Sequence, residues 1–190
     1  MTSVPGVFCF EGDWENRLDD PKSVVPLLEA AQRIIGMPFI HRTIGTTKEL
    51  DYYIGKWLQK QHARYTIGQF AFHGNEDGIG IGRTDVDLDH LAKTIKNTED
   101  RAAGRIIYFD SCSVLADSPT AEEFLYDTRA EAVIGYSEDI DWMEGSAFYL
   151  LLLYAFSDET SPADARDWLM EEYPNLSERL GLRFLLPTPV

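Results

Sequence analysis

Five short apolar runs, each followed by a stretch of helical periodicity, constrain the fold of this 190-residue chain more than any other feature. They are Gly6 to Phe10, Phe39 to Ile44, Thr66 to Phe72, Arg105 to Phe109 and Ala132 to Tyr136. Most are near-continuously apolar rather than alternating, the pattern of strands buried on both faces. Between them Val24, Leu27, Leu28, Ala31 and Ile35 recur at helical spacing. So do Leu50, Ile54, Trp57 and Leu58, and then Leu88, Leu91, Ala92 and Ile95. Strands alternating with helices predict an α/β fold: a three-layer sandwich with a mostly parallel sheet of about six strands, Leu182 to Leu186 being the last. No repeat or linker divides the sequence, so residues 1–190 are expected to form a single domain.

Helix boundaries are also marked. Ser23 is the expected N-cap ahead of Pro26, and Thr46 with Glu49 forms a capping box. Ser118-Pro119, Asp141 and Ser161-Pro162 open three later helices, the last ending near Tyr173-Pro174. Gly74 to Gly82, with Gly78, Gly80 and Gly82 alternating with Ile79 and Ile81, reads as a small hairpin or extended loop. Its spacing is not that of a phosphate-binding loop.

Charge narrows the choice of partner. Seventeen Lys and Arg face 32 Asp and Glu, a net charge of −15. Such a field repels phosphate backbones and attracts basic peptides or proteins, so nucleic acid is not an expected partner. The most apolar stretch, Ala147 to Phe156, is half the roughly 20 residues a membrane span needs. Met1 to Pro5 lacks the features of a signal peptide, and no membrane association is expected. A cytoplasmic protein is expected, with Cys9 and Cys112 as free thiols. His41, His62, His73 and His90 show no metal-ligand spacing, so neither metal nor cofactor is expected.

In a parallel sheet, functional groups gather at the carboxyl ends of the strands. Here those ends carry Glu11-Gly12-Asp13-Trp14, His73-Gly74, Asp110-Ser111-Cys112 and Ser137-Glu138-Asp139. Taken singly, Cys112 reads as a buried inert thiol and His73 as a hydrogen-bonded strand-end histidine. Taken together, on neighbouring strand ends, they read as a nucleophile and its base. The acidic cluster of Glu138, Asp139 and Asp141 has two readings, a solvated loop with a helix cap or added negative potential around a basic substrate. Trp14, Tyr136 and Trp142 flank the same edge as core or as pocket walls.

Phe72-His73-Gly74 after one strand, with Tyr108-Phe109-Asp110-Ser111-Cys112-Ser113 closing the next, resembles the caspase-fold cysteine peptidases. That group includes caspases, metacaspases, the clostripain and legumain groups and bacterial CHAT domains. The chain is also similar to short free-standing bacterial caspase-like proteins of unknown function. These carry an early Glu-Gly-x-Trp, a Phe-His-Gly, a Ser-Cys-Ser and a Gly-Tyr followed by Asp-Trp, here Gly135-Tyr136 and Asp141-Trp142. The resemblance implies a catalytic dyad of His73 and Cys112, with an oxyanion hole from the Gly74 and Cys112 N–H groups. It also implies an acid at Asp110 that selects Arg or Lys; the net charge and the neighbouring Glu11, Asp13, Glu138 and Asp139, read as further substrate-binding acids, point to the same basic substrate. The Gln-Ala-Cys-Arg-Gly of caspases and the Cys-His-Ser-Gly of metacaspases are absent. The function expected is peptide-bond hydrolysis after basic residues, in bacterial stress or defence. The alternative is a caspase-like module that binds a peptide or partner without cleaving it.

Overall fold

The computed structural model describes residues 4–17, 19–98, 102–158 and 161–187. Residues 1–3, part of the segment read for a leader, lie outside it. The chain runs β1 (Val7–Glu11), α1 (Val25–Ile35), β2 (Phe39–Thr43), α2 (Thr47–Trp57), β3 (Ile67–Ala71), β4 (His73–Asn75), β5 (Gly78–Ile81), β6 (Thr84–Val86) and α3 (Leu88–Lys96). It continues through β7 (Ile106–Asp110), α4 (Ser118–Thr128), β8 (Ala132–Tyr136), α5 (Trp142–Asp158), α6 (Pro162–Glu172), α7 (Pro174–Arg179) and β9 (Leu182–Leu185).

The main sheet has six strands in the order β2-β1-β3-β7-β8-β9. The first five are mutually parallel and β9 runs antiparallel along β8. This is the mostly parallel, six-stranded α/β sandwich expected. The Gly74 to Gly82 segment is more regular than a loop. β4, β5 and β6 form a separate antiparallel sheet of three strands, entered from β3 through Phe72 alone.

Strand side chains alternate between two buried faces. Phe8, Phe10, Phe70, Ile107 and Phe109 pack with Ile54, Trp57, Leu91 and Phe124 from α2, α3 and α4. Val7, Cys9, Ile67, Tyr108 and Ile134 pack with Leu28, Phe148, Leu152 and Leu169 from α1, α5 and α6. Burial on both faces explains why the strands read as continuous apolar runs.

Most caps fall where expected. Thr46 accepts the Glu49 N–H, and the Glu49 carboxylate reaches back to the Gly45 N–H. Asp141 accepts the Met143 and Glu144 N–H groups, and Ser161 that of Asp164. Asp117, one residue before Ser118, accepts the Thr120 N–H. Ser23 departs from the expectation. α1 starts after Val24, which occupies the cap position without a side-chain bond, while the Ser23 hydroxyl, one residue earlier, accepts the Val25 N–H at 3.1 Å and donates to the Glu11 carboxylate. No helix among the described residues is long and apolar enough to cross a membrane.

Candidate active site

Because β1, β3, β7 and β8 are parallel, their carboxyl ends share one edge of the sheet. Two contacts draw the His73 and Cys112 segments together there. The buried Ser111 hydroxyl donates to the Phe70 carbonyl at 3.1 Å and accepts the Phe72 N–H at 3.3 Å, joining the exits of β7 and β3. Gly74 then passes so close to the loop after β7 that an added Cβ would lie 2.5 Å from the Cys112 carbonyl and 2.8 Å from Ser111 Cβ. Only a residue without a side chain fits that approach. His73 and Cys112 consequently line one cavity of about 130 Å³, with Trp14, Phe72, Asp110 and Trp142 among its other walls.

His73 has a defined orientation. Its Nε2 lies 2.6 Å from the Trp14 carbonyl oxygen. A carbonyl only accepts, so Nε2 carries the proton and the neutral ring keeps its lone pair on Nδ1. The Trp14 ring stands edge-on to His73 at 5.5 Å and to Trp142 at 4.7 Å, joining the imidazole to the opposite wall.

Cys112 is held by the loop after β8. Its Sγ lies 3.5 Å from the Ile140 backbone nitrogen, which donates to it. The next residue, Ser113, has a left-handed backbone with φ 55°. That conformation is costly outside glycine. Here it is secured by the Ser113 N–H to the Glu138 carbonyl and by the Ser113 hydroxyl to the Asp139 carboxylate at 2.8 Å. The Cys112 N–H makes no hydrogen bond among the described residues. Cys9 is also a free thiol but lies buried within β1, where burial pushes its thiol up.

Asp110 closes the inner end of the cavity at 9% exposure. Gln69 Nε2 donates to one carboxylate oxygen at 2.9 Å, and the Tyr108 hydroxyl donates to the other at 3.2 Å. Behind them Tyr149 donates to Gln69 Oε1, and the Tyr108 and Tyr136 hydroxyls share a 2.7 Å bond. Burial raises the Asp110 carboxyl to about 6, although the Gln69 and Tyr108 hydrogen bonds oppose the rise.

The remaining acids expected beside a substrate sit elsewhere. Glu11 is 4% exposed, and both its oxygens are taken by donors from within the protein: the Trp14 indole, the Ser23 hydroxyl, the Val24 N–H and the His41 ring. It therefore offers no open carboxylate to a substrate. Asp13 lines a neighbouring cleft of about 560 Å³, separated from the first by Trp14 and His73. Glu138 and Asp139 are exposed and do not line the cavity; they hold the Cys112 loop through Ser113. Asp141 does line it, at the start of α5.

Two contributors escape a reading of side-chain types. The Trp14 carbonyl and the Ile140 N–H are backbone groups, which every residue carries. Gln69 did leave a signal, as one amide inside the apolar run Thr66 to Phe72. A buried polar side chain needs a partner, and that partner is Asp110.

No curated protein matches this sequence. Among solved structures, caspase-1 from Spodoptera frugiperda superposes with a TM-score of 0.57, covering 98% of this chain and 88% of that one at 12% identity. At that identity the likeness is one of fold, and it establishes the caspase-like architecture. Over residues 5–185 the sequence matches the family of unknown function DUF6642, and the chain is a member of that family.

Proposed function

We propose that the protein is a cysteine endopeptidase in which Cys112 is the nucleophile and His73 its proton acceptor. The observation that carries this reading is the opening of Cys112, His73 and Asp110 into one cavity. With Nε2–H directed to the Trp14 carbonyl, Nδ1 is the nitrogen free to take the thiol proton. The thiolate attacks the scissile carbonyl carbon; the C–S bond forms and the π electrons pass to oxygen. The Cys112 N–H, which no described residue engages, donates to that oxyanion, together with the Gly74 N–H. His73 returns the proton to the leaving amine as the C–N bond breaks. Water, deprotonated by the same imidazole, then hydrolyses the thioester.

Asp110 is suited to a basic side chain before the scissile bond. Above pH 6 it is a desolvated carboxylate in a pocket walled by Trp14, Leu27, Phe72, Ile140 and Trp142, which Lys22 and Asp141 also line. A guanidinium or ammonium entering there pairs with it, as the excess of acidic residues over the whole chain also favours.

An electrophilic thiol probe tests the dyad. Selective labelling of Cys112 over Cys9, lost in His73→Ala, is expected. So is cleavage of fluorogenic Arg or Lys peptides that disappears in Cys112→Ala. Equal labelling of Cys112 in wild type and His73→Ala, with no peptide cleaved, would leave a module that binds without cutting.

A further inference from the structure

Of the Glu-Gly-x-Trp segment at the end of β1 the chemistry above uses only the Trp14 carbonyl, yet the Glu11 carboxylate alone takes four hydrogen bonds. Glu11 Oε1 accepts from the Trp14 indole at 2.7 Å and from the Val24 N–H at 2.7 Å. Oε2 accepts from the Ser23 hydroxyl at 2.8 Å and faces His41 Nε2 at 2.7 Å. One carboxylate therefore gathers both ends of the loop between β1 and α1, and ties them to β2 through His41. That loop carries the Trp14 carbonyl, the group on which His73 Nε2 rests. Gly12 keeps the loop close to its target. Its N–H continues the ladder to the Ala71 carbonyl, and an added Cβ would lie 2.6 Å from the Phe72 ring, immediately before His73.

We propose that Glu11 is a positioning residue for His73. By fixing Trp14 it holds the imidazole in the tautomer that leaves Nδ1 free for Cys112. This deepens the peptidase reading and rests on it for its catalytic consequence, while the tautomer itself is a property of the resting protein. Charge is not the requirement; the geometry of the acceptor is. A glutamine at position 11 keeps an oxygen for the Trp14 and Val24 donors. Its amide then faces the Ser23 hydroxyl and His41 ring, and both can reverse roles, the hydroxyl by rotation and the ring by changing tautomer.

The test is nitrogen NMR of histidine-labelled protein at pH 8 without substrate, the His73 signals being those missing from His73→Ala. Kinetics on the peptide selected by the fluorogenic panel run beside it. Wild type and Glu11→Gln are expected to show a single tautomer with Nε2 protonated. Glu11→Ala, and Trp14→Phe, which loses the indole donor and trims the ring that stands edge-on to His73 and Trp142, are expected to show mixed tautomers. Their kcat should fall about 10- to 100-fold with KM little changed, as for a misplaced catalytic group. A single Nε2–H tautomer persisting in Trp14→Phe and in Glu11→Ala overturns the proposal; if Glu11→Ala does not fold, Trp14→Phe decides alone. The tautomer is read without turnover. A protein that cleaves nothing but shows the tautomer change would overturn the peptidase reading and leave the role of Glu11 supported.

Discussion

Two buried carboxylates on nearby strands titrate in opposite senses because they are solvated differently by the protein. At Glu11, burial alone would raise the carboxyl, but hydrogen bonds from His41, Trp14, Val24 and Ser23 outweigh it and hold the group below its ordinary range. At Asp110 two donors do not offset burial, and the carboxyl rises to about 6. The sign for Asp110 follows from linkage. Between the unfolded carboxyl near 4 and the folded one near 6, the folded state binds the extra proton, so stability falls as pH rises through that window. The full penalty above it is about 3 kcal/mol. Asp110→Asn is therefore expected to be more stable than wild type at pH 8 and no more stable at pH 4, measured by urea unfolding at both values. The same substitution should lower cleavage after Arg by about 10- to 100-fold, since a charge-assisted bond contributes roughly 1.5–3 kcal/mol. Unchanged Arg preference in Asp110→Asn would move the selecting acid elsewhere.

Among the elements, the small β4–β6 sheet approaches the loop after β7 closely at Gly74. A methyl group there would meet the Cys112 carbonyl, Val114 Cγ2 and Ser111 Cβ all within 2.8 Å. The first is a backbone oxygen and the last a Cβ, neither of which a rotamer change moves aside, so the strand must shift. Gly74→Ala is expected to cost about 1–3 kcal/mol, as overpacking does. It should also slow thiol labelling of Cys112, because the strand that moves begins with His73. Gly55, in α2, meets nothing within 4 Å and provides the contrast. Gly55→Ala should raise the unfolding midpoint, given the higher helix propensity of alanine. Paired thermal melts and labelling rates for the two variants check this.

For the molecule as a whole, the sheet has a core on each face, and its central strands feed both. Along β7, Ile107 and Phe109 enter one core while Ile106 and Tyr108 enter the other. Neither face can open without exposing the strands to the other side. Ile107→Ala and Ile134→Ala, in opposite cores, are each expected to cost about 2–5 kcal/mol. Both variants should unfold in one transition, with far-ultraviolet circular dichroism and tryptophan fluorescence coincident. Separated transitions would show the two layers to be independent.

The strand and helix order, the parallel character of the sheet and most helix caps were legible in the sequence. They depend on local periodicity and on residues such as Thr46, Asp141 and Ser161, whose side chains bond a few positions away. The candidate pair was legible for a related reason: a parallel sheet puts every strand's carboxyl end on one edge, so His73 and Cys112 needed only to be read at two such ends. Tertiary structure alone decided what each acid at that edge does. Glu11, Asp13, Glu138 and Asp139 look alike as a negative fringe, yet Glu11 is enclosed by donors from three separate segments, and Asp139 spans to Ser113 across the Cys112 loop. The backbone groups at the site, the Trp14 carbonyl and the Ile140 N–H, are common to all residues. Their selection rests on loop paths set by long-range contacts, and no local pattern of side chains encodes those.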